Sequence, residues 1–355
     1  VKLRILDPAN PDNYLDSAAN FSIKSRFNVT SPVAGDKWDV DSVQQIKWTW
    51  TGTVPDVRLQ YSVNGGTTYN DLDDGIYNTT LNPGYYNWTI PDNITASLRV
   101  KVADLADSTA NDTSDGNAKI RAKFTLFTPN GGQDLTVNDT YNITWEAVGT
   151  VSFVNLTYSY SLNNVTTNST IVPSTPNDGS YIWTIPDAIS DNVTVRVRST
   201  SDVDAYDNSN AAFRIKGAFN VTSPNGNEQW KINQKYNVTW TTLGTIPAVR
   251  VSYSTNGGNN FNGTVISGTA NIGSYEWTIP DIPTTGGKVR VIDYNDSAVY
   301  DDSNANFSIQ GNVILNSPLG DETWIVASKH NITWTWGGTI PAIYIAYSNN
   351  SGTNY

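Results

Sequence analysis

The pentapeptide Trp-Thr-Ile-Pro-Asp occurs three times in this chain, at 88–92, 183–187 and 277–281, a period of about 95 residues. Nothing else in the sequence constrains the fold as strongly. A repeat of domain length makes each copy one structural unit with its own core. Other landmarks keep the same order and nearly the same phase. FNVTSP at 27–32 returns as FTLFTP at 124–129, FNVTSP at 219–224 and VILNSP at 313–318. Trp48, Trp145, Trp240 and Trp334 mark a second position, and Trp88, Trp183 and Trp277 a third.

The period divides the chain into modules at 27–122, 123–217 and 218–311. Residues 1–26 match only the closing part of a module, since VKLRILDP and NFSI resemble VRVIDYND and NFSI near 289–309. Residues 312–355 match only an opening part. The expectation is three complete modules within a longer array. The joints, FSIKSRFNVTSP, FRIKGAFNVTSP and FSIQGNVILNSP, lack the length and Gly/Ser content of flexible linkers. They predict a stiff or semi-stiff rod.

Within a module the apolar pattern has period 2. In YNITW, Tyr141, Ile143 and Trp145 share one face, and Asn142 and Thr144 the other. VRLQYS at 57–62, Tyr86-x-Trp88-x-Ile90, LRVKV at 98–102 and the FSI or FRI segments repeat the alternation. No 3.6-residue apolar stripe is present. About seven short strands per module predict an all-β chain of tandem immunoglobulin-like β-sandwiches in an elongated array. The proline of each WTIPD ends its strand, because it has no amide proton to donate. Asp92, Asp187 and Asp281 are expected to bond nearby amides in the turn. The phase assigns Trp48, Trp88, Trp145, Trp183, Trp240, Trp277 and Trp334 to the core rather than to a carbohydrate-stacking platform. Trp38, Trp230 and Trp324, replaced by Leu135 in the second module, read as hydrophobic plugs. The second module also has SYSLNNV where the others have NGG, so its first turn and edge are expected to differ.

Composition removes several function classes. Cysteine and methionine are absent and there is one histidine, His330. Disulfides, zinc thiolate sites and cysteine nucleophiles are excluded. His330 takes the strand position of Tyr141 and Tyr236 and reads as structural. Net charge is −11, which argues against nucleic acid. No apolar run is long enough to span a membrane. GxSxG, HExxH and phosphate-loop motifs are missing, and the chain reads as no enzyme.

Together FNVTSPNGNEQW, YNVTW, VRVSYSTNGGNNF, GSYEWTIPD, KVRV and DDSNANFSI resemble the Ig-like module of the Kre9/Knh1-type, Ser/Thr-rich cell-wall family, which also occurs in large prokaryotic surface proteins. The resemblance spans all three modules and both flanking segments. It implies an extracellular surface-layer or cell-wall protein, of an anammox-type bacterium or an archaeon, that assembles into a lattice. The alternative is an adhesin or carbohydrate-binding stalk that carries its binding domain elsewhere. Partners on these readings are further copies of the chain and cell-surface polysaccharide.

Three surface features accompany this reading. There are 19 Asn-x-Ser/Thr sites, and Asn142, Asn237 and Asn331 lie on outward strand positions as candidate glycosylation sites. Outward basic pairs recur as Lys2 and Arg4, Arg99 and Lys101, Arg196 and Arg198, and Lys288 and Arg290, and could hold chains together through acidic loops. The last loop of each module is rich in oxygen donors: Asp104, Asp107, Asp112 and Asp115; then Asp202, Asp204 and Asp207; then Asp293, Asp296, Asp301 and Asp302. The last four are the candidate calcium ligands, and calcium the one candidate cofactor. The spacing is not that of an EF-hand, and an acidic turn is the competing reading.

Overall fold

The structure, a computed structural model, describes residues 1–72, 83–162 and 164–355. Every regular element among them is a strand. The chain is all-β and is built of immunoglobulin-like sandwiches in tandem. No described helix is long and apolar enough to cross a membrane.

The second sandwich shows the plan. Its smaller sheet orders Lys123–Thr128, Thr140–Val148 and Ser180–Thr184, all antiparallel. The larger sheet runs Asp134–Thr136, Phe213–Lys216, Ser190–Ser199, Phe153–Leu162 and Val165–Pro176, with Tyr206–Asn208 paired beside Ser190–Ser199. One pairing is parallel, Asp134–Thr136 with Phe213–Lys216. The first and third sandwiches repeat both sheets. The plan holds more strands than the sequence predicts. Asp134–Thr136 and Tyr206–Asn208 are three residues each, too short for an alternation to register.

The core follows the alternation. Val154, Leu156, Val193, Val195 and Val197 point inward from the larger sheet and meet Ile143, Trp145 and Trp183 from the smaller. β-Branched side chains suit this pleated, half-buried surface. Three separate apolar clusters result, from Phe27 to Ile120, Ala122 to Ile215 and Phe219 to Ile309. The six tryptophans of the complete modules at the two inward positions are buried. Each buried indole N–H needs a partner. Trp145 Nε1 donates to Asn177 Oδ1 at 2.6 Å, and Trp240 Nε1 to Asn271 Oδ1 at 2.7 Å. Those amides donate in turn to Val151 O and Ile246 O.

Trp38, Leu135 and Trp230 are buried, and Trp230 stacks on Tyr236 with ring centroids 4.9 Å apart. Trp324 departs from its expected place: it is 42% exposed, and Trp334 is only partly buried. The described part of that segment forms one hairpin, Asn312–Ser317 with Thr333–Gly337, with no second sheet against it. His330 stacks on Trp324 at 4.6 Å, as Tyr236 does on Trp230. The second sandwich differs at its edge: Phe153–Leu162 and Val165–Pro176 form a longer hairpin than the equivalent pair in the third.

Candidate functional site: the joints between sandwiches

The aspartate that ends each WTIPD turns to the next sandwich instead of its own turn. Asp92 Oδ1 accepts the backbone N–H of Thr150 at 3.0 Å, and Oδ2 accepts its hydroxyl at 2.5 Å. Asp187 binds Thr245 the same way, at 2.9 and 2.5 Å. Asp281 binds Thr339 at 2.9 and 2.8 Å. Three consecutive joints therefore carry one two-point contact, each spanning 58 residues. The position after the threonine anchors it: Ile246 is buried in the third core, and Val151 packs on the second.

A glycine precedes each of these threonines, where an added Cβ would press on the preceding sandwich. Gly244 has φ +79°, and an added Cβ would lie 3.0 Å from both Ile189 Cδ1 and Val137 Cγ2 of the preceding sandwich. Gly149, at φ +100°, lies against Val40 and Asp92 in the same manner. Ile189 packs against both the second and third cores. The sequence signal is Gly-Thr-Val/Ile at 52–54, 149–151, 244–246 and 338–340. Read with WTIPD, it pairs a plug with a socket.

A charged contact flanks this lock. In the closing strand Ala118–Arg121, Ile120 enters the core, so Lys119 and Arg121 face out. Lys119 Nζ reaches Asp202 at 2.9 Å and Asp204 at 2.6 Å in the last loop of the next sandwich. Lys37 also meets Asp204 at 2.6 Å, and Arg121 donates to the Asp204 carbonyl at 2.7 Å. Hydrogen bonds from Lys119 and then Lys37 lower the Asp204 carboxyl from 3.8 to about 2. The same bonds raise Lys119 above its ordinary 10.5. The next joint pairs Arg214 with Asp296, and the preceding one brings Lys24 to Thr109 and Asp107. Isolated surface pairs contribute little, but this group is partly shielded and shares donors.

These contacts decide where the predicted calcium residues go. Asp296 faces Arg214. Asp302 takes Arg290 at 2.6 and 2.8 Å, and Asp301 accepts the Val221 amide at 2.7 Å. Asp293 is buried and accepts the Asn295 amide. Asp112 and Asp207 pin the opening strands at Val29 and Leu126 as Asp301 does at Val221. Among the described residues no three His, Cys, Asp or Glu side chains gather as a metal-binding group. Each of the four carboxylates is engaged with a protein partner in this arrangement.

The basic pairs largely find partners within their own modules. Arg99 bonds Asn117 and the Ser114 carbonyl, Arg290 bonds Asp302, and Arg4 bonds Asp16. The cations that cross the joints are others: Lys119, Arg121 and Arg214 on the closing strands, with Lys37 and Lys24 outside them. Asn142 and Asn237 are exposed on the central strand of the smaller sheet, and Asn331 is exposed beside His330.

No family of known proteins matches the chain by sequence model, and no curated protein matches it. Solved structures overlap it at low identity. The fibronectin(III)-like modules of Clostridium thermocellum CbhA are 14% identical, cover 53% of this chain and 94% of their own, and give a TM-score of 0.20. The four N-terminal Ig domains of Dscam1 isoform 6.9 are 9% identical over 84% of this chain and 76% of theirs, with a TM-score of 0.28. Titin domains I67–I69 are 9% identical over 81% and 100%, at 0.26. The sandwich architecture rests on the strand pairing itself.

Proposed function

We propose that the chain is a stiffened spacer of an extracellular adhesin or display stalk, whose sandwiches are locked end to end. The observation that carries this is the Asp–Thr lock, made identically at three successive joints. A flexible tether needs no such contact. A lock that repeats with the period of the fold holds each sandwich at a fixed angle to the next. Cell-surface residence belongs to this proposal, as does glycosylation at exposed Asn142 and Asn237. Small-angle scattering from the purified chain tests it: a rod whose length matches the summed modules supports it. A distribution as broad as that of beads on flexible linkers overturns it. Intact mass of the native protein reads the glycans directly.

One observation favours the second reading, assembly into a surface-layer or wall lattice. The edge strand Val165–Pro176 is long, its first eight residues to Val172 carry neither charge nor proline, and its outer edge is unpaired among the described residues. Protected edges are ordinarily short, charged or covered. Ordered sheets of the chain by electron microscopy support the lattice, and a monomer at high concentration opposes it.

A further inference from the structure

A polar cleft of about 360 Å³ lies on the larger sheet of the second sandwich, bounded by Phe153–Leu162, Val165–Pro176, Ser190–Ser199 and Tyr206–Asn208. Its charge is unlike the rest of the molecule. Arg196 and Arg198 line it, and neither has a carboxylate partner among the described residues. Arg196 donates to Asn208 Oδ1 at 2.7 Å and stacks over Tyr206 at 4.6 Å. Arg198 Nε is buried with no hydrogen-bond partner.

The sister modules show what is missing. At the equivalent place in the third sandwich, Arg290 is held by both oxygens of Asp302 and covered by Phe261 at 4.1 Å. Near the N-terminus Arg4 is held by both oxygens of Asp16. The second module has Asn208 in place of that aspartate, so its internal anion is gone. It adds Arg198 where the third has Ile292. Arg250 Nε of the third module is also unpartnered, but its neighbouring cation is neutralised by Asp302. A chain of net charge −11 thus leaves two adjacent guanidiniums uncompensated in one cleft.

We propose that this cleft binds an acidic saccharide, a sugar chain bearing carboxylate or sulfate groups. The guanidiniums supply charge-assisted hydrogen bonds to the anionic group. Thr157, Ser159, Asn168, Thr170 and Thr194 offer hydroxyls and amides along the cleft to meet sugar hydroxyls. The space exceeds a single oxyanion, and the lining is too polar for an apolar ligand. Nucleic acid does not suit it, because the acidic chain repels a polyanion outside this one patch.

The test is calorimetric titration of the whole chain at low salt with three probes: a galacturonate trimer, a sulfated galactose trimer and neutral galactotriose. One charged trimer binds with one site per chain, and galactotriose binds at least tenfold more weakly. The two charged arms distinguish carboxylate from sulfate. Arg198→Gln weakens binding tenfold or more, while Arg290→Gln leaves it unchanged. Asn208→Asp restores the internal carboxylate, so it keeps the unfolding temperature and loses affinity by a similar factor. No binding of either charged trimer at millimolar concentration overturns the proposal. So does galactotriose bound as tightly, or Asn208→Asp with full affinity. None of these results bears on the stiffness of the joints, so the spacer reading stands or falls separately.

Discussion

Asp187 and Thr245 belong to different sandwiches, yet the two carboxylate oxygens of one take the amide proton and the hydroxyl proton of the other. Hydrogen bonds to a charged group contribute about 1.5–3 kcal/mol each when shielded, and less at the surface. Asp187→Asn keeps the size but offers only one acceptor oxygen. It should weaken the joint by about 1–2 kcal/mol. Hydrogen exchange at the Thr245 amide should then rise roughly tenfold, while the amides of Val249 and Val251 in the third core keep their protection. Unchanged exchange at Thr245 would reduce Asp187 to an ordinary turn residue.

Gly244 separates backbone strain from contact across the joint. Gly132 has φ +77° and nothing within 4 Å of an added Cβ; Gly244 has φ +79° and two neighbours at 3.0 Å. Gly132→Ala should therefore cost only the left-handed conformation, about 1 kcal/mol. Gly244→Ala adds a clash with Ile189 and Val137. The expected result is a similar loss of unfolding temperature for both, with a broader interdomain distance distribution only for Gly244→Ala. Identical scattering curves would show that the glycine serves its own turn alone.

The charged side of the first joint has a defined pH window. Asp204 is depressed in the folded chain, so its contribution is fully present above the ordinary carboxylate value and is lost as pH falls from about 3.8 toward about 2. Lys119 is raised, so its share persists to alkaline pH and is lost only above 10.5. The contact between the first two sandwiches should hold from neutrality to pH 4 and loosen below it. Nuclear magnetic resonance of the Lys119 ammonium and Asp204 carboxyl reads this directly. Asp204→Asn should show the loosened state at neutral pH, and salt should shift the wild type the same way. A joint that opens already at pH 5 would contradict it.

The sandwich was legible because its signal is local. Ile143 and Trp145 alternate with Asn142 and Thr144, and a strand with one buried face must sort them so. Trp324, read as a plug like Trp38 and Trp230, lies outside any strand and has no second sheet to cover it. The joint was harder to see. Asp187 beside a proline has the signature of a turn residue, and its partner lies 58 residues away in another module. The recurrent Gly-Thr was present in the sequence, but only the packing of Gly244 on Ile189 and Val137 says what it meets. The acidic loops show the same limit. Oxygen density is visible in a sequence, whereas the bonds of Asp301 to Val221 and Asp302 to Arg290 depend on strands brought together by folding.

The acidic loops give a prediction about metal. Four carboxylates near Asp293 are committed to an arginine, two amides of their own loop and the opening strand. Calcium would have to break those bonds before it gained six to eight oxygens. Millimolar calcium should therefore raise the unfolding temperature no more than magnesium at equal ionic strength, and a chelator should leave the chain unchanged. A calcium-specific rise of several degrees would show that the loops rearrange around the ion.

Asn271 tests the core independently of the joint. Its side chain accepts from Trp240 Nε1 at 2.7 Å and donates to the Ile246 carbonyl at 2.9 Å, so two partly buried groups depend on it. Asn271→Ala leaves the indole N–H and that carbonyl without this partner, and each orphaned group costs about 1–3 kcal/mol. The third sandwich should lose about 2–4 kcal/mol by this count, seen as one early transition in a thermal scan while the second sandwich unfolds at its usual temperature. Trp240→Phe should lose less from hydrogen bonding, because it removes the donor together with its need, and more from the smaller ring. If Asn271→Ala melted as wild type, the indole proton would be satisfied by water, and the Asn-x-Gly turns at 177–179 and 271–273 would be there for their bend alone.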